Sequence, residues 1–115
     1  MSDCLFCRIV RGEIPSQKVY EDEDILAFRD IRPLAPVHFL VIPKKHIESL
    51  ATSTEDDAAL LGRLLAVVPK IARELGAVDG FRTIINTGRV GGQEVYHLHI
   101  HVIGGGDPLP AMLKY

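Results

Sequence analysis

Apolar residues follow two different spacings along the chain, one helical and one typical of strands. Between residues 53 and 76, leucine, valine and isoleucine recur at the repeat of one helix face, for example at Leu60, Leu64, Val68 and Ile71. Elsewhere, short apolar runs are bounded by glycine, proline or acidic residues, as strands commonly are. The pattern therefore predicts one long helix and several short strands.

Capping and breaking residues set the predicted ends of the long helix. Ser53 or Thr54 is of the type that caps a helix N-terminus, and Gly76 is of the type that follows a helix C-terminus. Pro69 lies inside the helical pattern, and because proline lacks a backbone N–H we expect a kink in the last turn.

A shorter helix is predicted near the N-terminus, in residues 3–15. Asp3 is its predicted N-cap, and Gly12 and Pro15 are expected to end it. The remaining runs predict strands, and the third of them is apolar almost throughout, which favours a central buried position. These predicted strands are residues 17–23, 24–30, 37–43, 81–88 and 95–105.

This order of elements predicts an α+β fold with a mainly antiparallel meander sheet, one long helix and one short helix. The length of 115 residues predicts a single domain spanning residues 1–115, large enough for an aliphatic core without disulfides. The sequence contains no repeats that would suggest a different organisation.

The charge balance argues against two classes of partner. With 13 basic and 15 acidic residues, well mixed, the formal net charge is −2, so we expect neither nucleic acid nor a membrane surface as a partner. No apolar run approaches the roughly 18 residues of a membrane span, and no export signal is recognisable. We therefore expect a cytoplasmic protein, in which a disulfide between Cys4 and Cys7 is not favoured.

Three of the five histidines lie in one short stretch, at His97, His99 and His101. In a strand, side chains alternate between the two faces, so all three are expected on one face, with Leu98 and Ile100 on the other. Chance use of histidine on a half-buried strand is a poor explanation for three residues in register. Two chemical explanations remain: ligands of a metal-bound water, or a nucleophile with its proton handlers.

The stretch before the histidines, NTGRVGGQE, contains three glycines. Glycine allows backbone N–H groups to approach an anion closely, which favours a phosphate-binding loop. A simple turn is the alternative. A phosphate held there would face the histidines, and a neutral imidazole is a good nucleophile toward phosphorus near pH 7.

The stretch HLHIHVI fits the signature of alternating histidine and apolar residues that defines the histidine-triad superfamily. Together with IPKKHI, FRDIRPLAPVHFLVIP, INTGRVGGQEVYHLHIHVIGG and CLFCRIVRGEIPS, it makes nearly the whole chain resemble the Hint branch of that superfamily. The resemblance implies a HIT-like fold, and a homodimer in which the sheet continues across the two-fold axis.

The resemblance also implies an activity. Hint proteins bind purine nucleoside monophosphates and hydrolyse the P–N bond of purine nucleoside 5'-phosphoramidates, releasing AMP in the adenosine case. His99 would be the nucleophile and would form a nucleotidyl-histidine. The backbone carbonyl of His97 would orient the His99 ring, and His101 would contact the phosphate.

A nucleotide-binding set follows from the same resemblance. Asp30 would hold the ribose hydroxyls, in agreement with the strength of charge-assisted hydrogen bonds, although a local turn role in RDIRP is the alternative. Ile31 would lie beside the nucleoside. The phosphate side would be lined, largely through backbone N–H groups, by Asn86, Gly92, Gln93 and Glu94.

The sequence departs from the Hint pattern at several positions. Glu94 stands where many members have serine, Arg29 stands where many have histidine, and the tail DPLPAMLKY lacks an aromatic element found in some relatives. These departures leave two alternatives open: a purine-nucleotide-binding adaptor without turnover, and a hydrolase of dinucleoside polyphosphates.

Cys4 and Cys7 form a Cys-x-x-Cys pair, which alone is a weak signal for zinc because a structural site needs four ligands. Related histidine-triad proteins with this pair add two histidines, and the likeness implies a structural zinc ion held by Cys4, Cys7, His46 and His97. A redox pair, which would need a different context, and two small residues packed in a helix are the alternatives. The remaining histidine, His38, is expected to be a satisfied core residue outside the site, with support of the three histidines from the neighbouring strand as the alternative.

Overall fold

A five-stranded antiparallel sheet forms the centre of the structure, a computed structural model that describes residues 4–113. The first three strands form a meander. The chain then crosses to the far edge through the helices and returns between the third and fourth strands, which gives the order β1-β2-β3-β5-β4 and confirms the predicted α+β class. The strands are β1 Lys18–Glu21, β2 Ile25–Arg29, β3 Val37–Pro43, β4 Phe81–Ile84 and β5 Ile100–Gly104.

The central strand β3 is buried along its whole length, as its apolar sequence predicts. Its residues alternate between two clusters, because successive side chains point to opposite faces. Phe39 and Val41 belong to a large aliphatic cluster on one face, while Leu40 and Ile42 belong to a smaller cluster on the other.

Helices cover both faces of the sheet. We call the face covered by α2 (Ala58–Ala66) and α3 (Val68–Glu74) the aliphatic face, and the face covered by α1 (Leu5–Val10) the histidine face. Strand β3 therefore lies between two packed layers, which explains its complete burial.

The predicted long helix is interrupted at Val67. Pro69, in the first turn of α3, has no N–H with which to bond the carbonyl of Leu65, so the helical hydrogen-bond ladder breaks at this point. At the N-terminal side, Thr54 caps the 3-10 turn that leads into α2, not α2 itself: its Oγ1 accepts the N–H of Asp56, and its own N–H donates to Asp57 Oδ2. Two short 3-10 turns, Leu50–Thr52 and Glu55–Asp57, precede the helix.

The short N-terminal helix forms as predicted, but with a different cap. Cys4 occupies the N-cap position, and its Sγ accepts the N–H of Cys7 at 3.2 Å. The predicted cap, Asp3, lies outside the described residues. The helix ends before Gly12, which has a φ of 79° and so adopts the left-handed conformation that glycine accepts readily.

The last strand is shorter than predicted, because residues 95–99 are not part of it. Proline at position 43 cannot donate to a neighbouring strand, and its carbonyl is bonded instead by the His97 ring at 2.7 Å. The N–H of Leu98 donates to Ile47 beyond the end of β3. Side-chain alternation nevertheless continues, since Leu98 packs into the aliphatic cluster while His99 lies against Phe6 on the other face.

Among residues 4–113, the helices are too short and insufficiently apolar for any of them to cross a membrane.

Candidate active site

A cavity of about 490 Å³ opens on the histidine face, between α1 and the loop that precedes β5. Leu5, Phe6 and Ile9 of α1 form an apolar wall, and Phe28 of β2 continues it. The volume lies within the range of small-molecule pockets, and the mixture of an apolar wall with a few polar groups is typical of them.

Most of the predicted site residues line this cavity. They are Asp30, Ile31, Asn86, Gly92, Glu94, His99 and His101. Two residues of the predicted catalytic and nucleotide-binding set do not line it: His97 is fully buried, and the buried Gln93 braces the glycine loop. The side chain of Gln93 accepts the N–H of Gly88 and donates to the carbonyls of Glu48 and Val95.

His99 has one ring nitrogen held and one free. Its Nδ1 lies 2.7 Å from the carbonyl oxygen of His97, which can only accept, so Nδ1 carries the proton. Nε2 then has a lone pair and bonds to no group among residues 4–113. Since no buried side-chain nitrogen in that range lacks a partner, Nε2 must be open to the cavity that His99 lines.

Phe6 holds the other side of the His99 ring. The two rings meet edge to face with centroids 5.1 Å apart, and Phe6 also packs edge-on against His97 at 6.0 Å. Helix α1 therefore contributes both a wall of the cavity and a support for the imidazole that faces it.

His101, on β5, is paired with a second buried histidine on the neighbouring strand. His101 Nδ1 lies 3.0 Å from Nε2 of His38, and the Asp30 carboxylate lies 3.3 Å from that same nitrogen of His38. Burial lowers the pKa of both imidazoles, more than the Asp30 charge raises it. Both rings are therefore neutral near pH 7.

Asp30 combines a local role with exposure to the cavity. Its Oδ1 accepts the N–H of Arg32 at 2.7 Å, which is the turn role expected as an alternative, while Oδ2 faces His38. The carboxylate also lines the cavity. Ile31, the next residue, is 92% exposed and lies at the rim.

The glycine loop is built by its own backbone hydrogen bonds. The N–H groups of Gly91, Gly92 and Gln93 donate to carbonyls of the same loop. A Cβ at Gly91 would lie 2.5 Å from the Thr87 oxygen, and Gly92 has a φ of 74°, so both positions require glycine. The backbone N–H groups of Gly92 and Gln93, expected to face the phosphate, are thus used within the loop.

The four residues predicted to hold zinc lie together at the start of α1. Their ligand atoms are all within 4.8 Å of one another: Cys4, Cys7, His46 and His97. His97 Nδ1 lies 3.2 Å from Cys4 Sγ and 3.5 Å from Cys7 Sγ, and Nδ1 of His46 lies 3.3 Å from Cys7 Sγ.

This donor set fits a metal ion. His97 Nε2 must carry the proton it donates to the Pro43 carbonyl, so Nδ1 presents a lone pair to the two sulfurs. Burial lowers the pKa of His97 to about 4, which keeps the ring neutral. Burial and the neighbouring Cys4 raise the pKa of the Cys7 thiol, an effect that a bound cation would oppose.

The three histidines of the signature do not converge on one point. Nδ1 of His97 faces the cysteines, that of His99 faces a carbonyl, and that of His101 faces His38. Within residues 4–113, the three do not form a group with metal-ligand spacing. This geometry argues against a metal-bound water held by all three.

Comparison with known proteins places this arrangement in a family. The family model described as HIT domain matches residues 11–107. The chain belongs to the HIT domain family. Protein HitA of Neisseria gonorrhoeae is 53% identical over 104 residues, which are 90% of this chain and 97% of that protein.

Solved structures of HIT proteins show the same fold. A HIT family hydrolase from Legionella pneumophila is 50% identical, with a TM-score of 0.88 over 91% of this chain and 95% of that one. A histidine triad protein from Clostridium difficile is 48% identical, with a TM-score of 0.92 over 98% of both chains.

Sequence reasoning left three residues of this HIT site out of the predicted set. His38 bonds His101, Phe6 supports His99, and Arg29 lines the cavity. A signal existed for two of them: Phe6 lies between the paired cysteines, and His38 occupies the same alternate positions of β3 as Leu40 and Ile42. The alternation alone places His38 on the face that carries the other histidines.

Proposed function

We propose that this HIT protein belongs to the Hint branch and hydrolyses the P–N bond of purine nucleoside 5'-phosphoramidates, releasing AMP from the adenosine substrate. The observation that carries the proposal is the His99 ring, whose Nδ1–H is held by a carbonyl while Nε2 opens to a cavity of about 490 Å³. An imidazole held in this tautomer is prepared for nucleophilic attack. The Legionella relative, described as a hydrolase, supports this class of reaction.

In the first step, the lone pair of His99 Nε2 attacks phosphorus and the P–N bond breaks. The bonding electrons go to the leaving amine, which takes a proton from solvent. In the second step, water attacks the nucleotidyl-histidine, the P–Nε2 bond breaks, and the proton lost by water returns to solvent. Each step is an in-line displacement, and division into two lowers the barrier of the whole.

The lining of the cavity suggests how the nucleotide lies. The purine would contact the apolar wall and Ile31, and the Asp30 carboxylate would accept the ribose hydroxyls. Asn86, Gly92 and Glu94 lie around the phosphate end, and Gln93 shapes their loop from below. Because the Gly92 and Gln93 N–H groups are used within the loop, the Glu94 N–H, unbonded among residues 4–113, is the proposed phosphate donor.

The side chain of Glu94 bears on the alternatives. Burial lowers the pKa of His101, and the Glu94 carboxylate opposes that shift, so its negative charge acts on the same part of the cavity that both residues line. A leaving group that carries further phosphates would be repelled there, whereas an amine would not. Glu94 therefore favours phosphoramidates over dinucleoside polyphosphates.

We further propose that Cys4, Cys7, His46 and His97 hold a structural zinc ion. The support is a complete set of two thiols and two imidazoles within 4.8 Å of one another. With four protein ligands, zinc would supply cross-linking and no chemistry to the substrate. His97 would then serve both as a ligand and, through its carbonyl, as the residue that orients His99.

A homodimer and a cytoplasmic location complete the proposal. Of the two edge strands, β1 carries charged Lys18 and Glu21, which discourage pairing, whereas β4 exposes Phe81 near the exposed Val78. A second cavity, of about 440 Å³, adjoins β4 and contains none of the histidines. We therefore propose that β4 continues the sheet into a second copy. Free Cys4 and Cys7 fit a reducing compartment.

The test is a substrate panel assayed with wild type and with His99→Gly. The panel contains adenosine and guanosine phosphoramidates and a dinucleoside polyphosphate. We expect turnover of the phosphoramidates to fall by at least about 10⁴-fold in His99→Gly, since covalent catalysis is lost, while AMP still binds. Tyr96→Phe, a change at an exposed residue outside the cavity, is the control and should keep full activity.

The panel separates the candidate functions. Undiminished turnover in His99→Gly would rule out the proposed nucleophile. Faster turnover of the polyphosphate than of any phosphoramidate would replace the proposed substrate. AMP binding by wild type without turnover of any substrate would indicate an adaptor.

A further inference from the structure

His38 is a buried imidazole on β3 with a defined partner at each ring nitrogen. The backbone N–H of Leu34 donates to its Nδ1 at 3.1 Å. Its Nε2 lies 3.0 Å from Nδ1 of His101 and 3.3 Å from Oδ2 of Asp30. The side chain is only 3% exposed, so these partners are not exchanged for water.

These contacts determine where the proton of His38 lies. A backbone N–H can only donate, so Nδ1 of His38 must accept the bond from Leu34 and carries no proton. A neutral imidazole has one N–H, which must then be on Nε2. That N–H points at two acceptors, the ring nitrogen of His101 and the carboxylate of Asp30.

The tautomer of His101 follows from that of His38. Two N–H groups cannot face each other at 3.0 Å without repulsion, so Nδ1 of His101 must be the bare, accepting nitrogen. Its proton is consequently on Nε2. This second nitrogen bonds to no group among residues 4–113, and since no buried nitrogen in that range lacks a partner, it opens to the cavity that His101 lines.

We propose that His38 is a positioning residue that holds His101 as a neutral hydrogen-bond donor, with its Nε2–H directed at an oxygen of the bound phosphoryl group. The identity of that acceptor rests on the proposed function, whereas the tautomer itself does not. In this arrangement, the Leu34 N–H, His38 and His101 form a chain of donors that runs from the backbone of the loop before β3 to the cavity.

The alternative without His38 shows what the residue contributes. Nδ1 of His101 lies 3.9 Å from Oδ2 of Asp30, and if His38 were absent this carboxylate would attract the proton to Nδ1. His101 would then present a lone pair to an anionic phosphate, which is repulsive. An aliphatic side chain at position 38 would fill the space, but Asp30 would then determine which ring nitrogen of His101 carries the proton.

The same proton placement argues against a metal ion between Asp30, His38 and His101, although their ligand atoms are close enough for one. A metal at that position would need a lone pair on His38 Nε2. The Leu34 N–H already occupies the lone pair of Nδ1, so the neutral ring has none left to give.

The direct test is NMR of the purified protein, with ¹⁵N-labelled histidine, at a pH above 7.5 where both rings are neutral. We expect protonated Nε2 and bare Nδ1 in both His38 and His101. We also expect a scalar coupling across the hydrogen bond from His38 Nε2 to His101 Nδ1. A proton on Nδ1 of His101 in wild type would overturn the proposal.

Two substitutions separate positioning from packing. His38→Leu removes the donor and should move the His101 proton to Nδ1, whereas His38→Gln keeps an N–H that can reach His101 and should preserve the wild-type tautomer. Val41→Ala, also buried on β3 but on the aliphatic face, is the matched control and should leave both rings unchanged. If His38→Leu does not fold, the wild-type coupling and His38→Gln still decide the question.

Kinetics with a phosphoramidate substrate give the second readout. For His38→Leu we expect kcat to fall by about 10²-fold, with AMP affinity nearly unchanged, and His38→Gln should recover most of the loss. An unchanged His101 tautomer in His38→Leu, or equal kcat in His38→Leu and His38→Gln, would overturn the role of His38. If wild type shows no turnover, the proposed function fails while the NMR result still decides the tautomer.

Discussion

The two faces of the sheet are built from the same strands but differ in what closes them. On the aliphatic face, Val41, Ile100 and Val102 pack against α2 and α3 with no polar groups to satisfy. On the histidine face, a smaller apolar cluster lies beside several imidazoles, and each imidazole must find a hydrogen-bond partner or open to solvent. The aliphatic face therefore provides stability, whereas the imidazoles of the histidine face differ in how far they are open to the cavity.

This difference in exposure is seen along the three histidines of the signature. His97 has partners at both ring nitrogens and is fully buried. His99 and His101 each have a partner at Nδ1 and, among residues 4–113, none at Nε2. Alternation along the chain places all three on one face, but their neighbours decide which are structural and which face the cavity.

The largest expected effect concerns the proposed zinc site, which includes the fully buried histidine of the three. If zinc binds at Cys4, Cys7, His46 and His97, the folded protein should gain about 4 kcal/mol at a free zinc concentration about 1,000 times the dissociation constant. His46→Asn should lose most of this gain, because one of four ligands is missing. Urea unfolding, together with metal analysis of protein purified without chelator, measures both quantities.

The exposure of His46 supplies the control for that experiment. Because its side chain makes little core contact, wild type and His46→Asn should have equal stability once both are stripped of metal. A difference that persists without metal would mean that His46 stabilises the fold in another way. Well under one zinc per chain in the wild type would refute the metal site.

The aliphatic face should respond to core changes in stability alone. Leu64, on α2, is 1% exposed, so Leu64→Ala should reduce the free energy of unfolding by about 2–5 kcal/mol. The kcat of the remaining folded protein should not change. Leu65→Ala, at a neighbour that is 51% exposed, should have little effect on either quantity. A large fall in kcat for Leu64→Ala would show that the two faces are not independent.

A smaller effect is expected from pH on the histidine face. Burial lowers the pKa of His38 and of His101 in the folded state. The unfolded chain therefore binds protons first as the pH falls below about 6.5. Stability should be fully present above that pH and should decline below it, by at most about 1.4 kcal/mol per pH unit for each group.

The variant His38→Gln isolates this contribution, since glutamine does not titrate. Its unfolding free energy should decline less steeply than that of wild type between pH 7 and pH 5. Carboxylates such as Asp57 and Asp22, whose pKa values are lowered by hydrogen bonds, act mainly at more acidic pH and are common to both proteins. Identical slopes would mean that His38 is already accessible to protons in the folded state.

The fold was predictable from the sequence where hydrophobic pattern and local chemistry agreed. The buried strand β3, the capped turn at Thr54 that leads into α2 and the break at Pro69 each follow from residues within one element. The extent of β5 did not follow, because it depends on where its partner strand stops donating at Pro43.

The candidate site was likewise predictable from the sequence only in part. Its position on one face follows from the alternation of His97, His99 and His101, and the motif resemblance brings in Asp30 and the glycine loop. The bonds of His38 and Gln93 could not be predicted, since they join elements far apart in the chain. Their proton and hydrogen-bond roles depend on distances that only the folded chain defines.

The measurement that tests the central claim most directly is a search for the covalent intermediate. Wild-type protein is mixed with adenosine 5'-phosphoramidate, quenched by denaturation at alkaline pH within one turnover, and mapped by mass spectrometry of its peptides. We predict one adenylyl group on Nε2 of His99, absent from His99→Gly. Turnover without any adduct, or an adduct on another residue, would contradict the account.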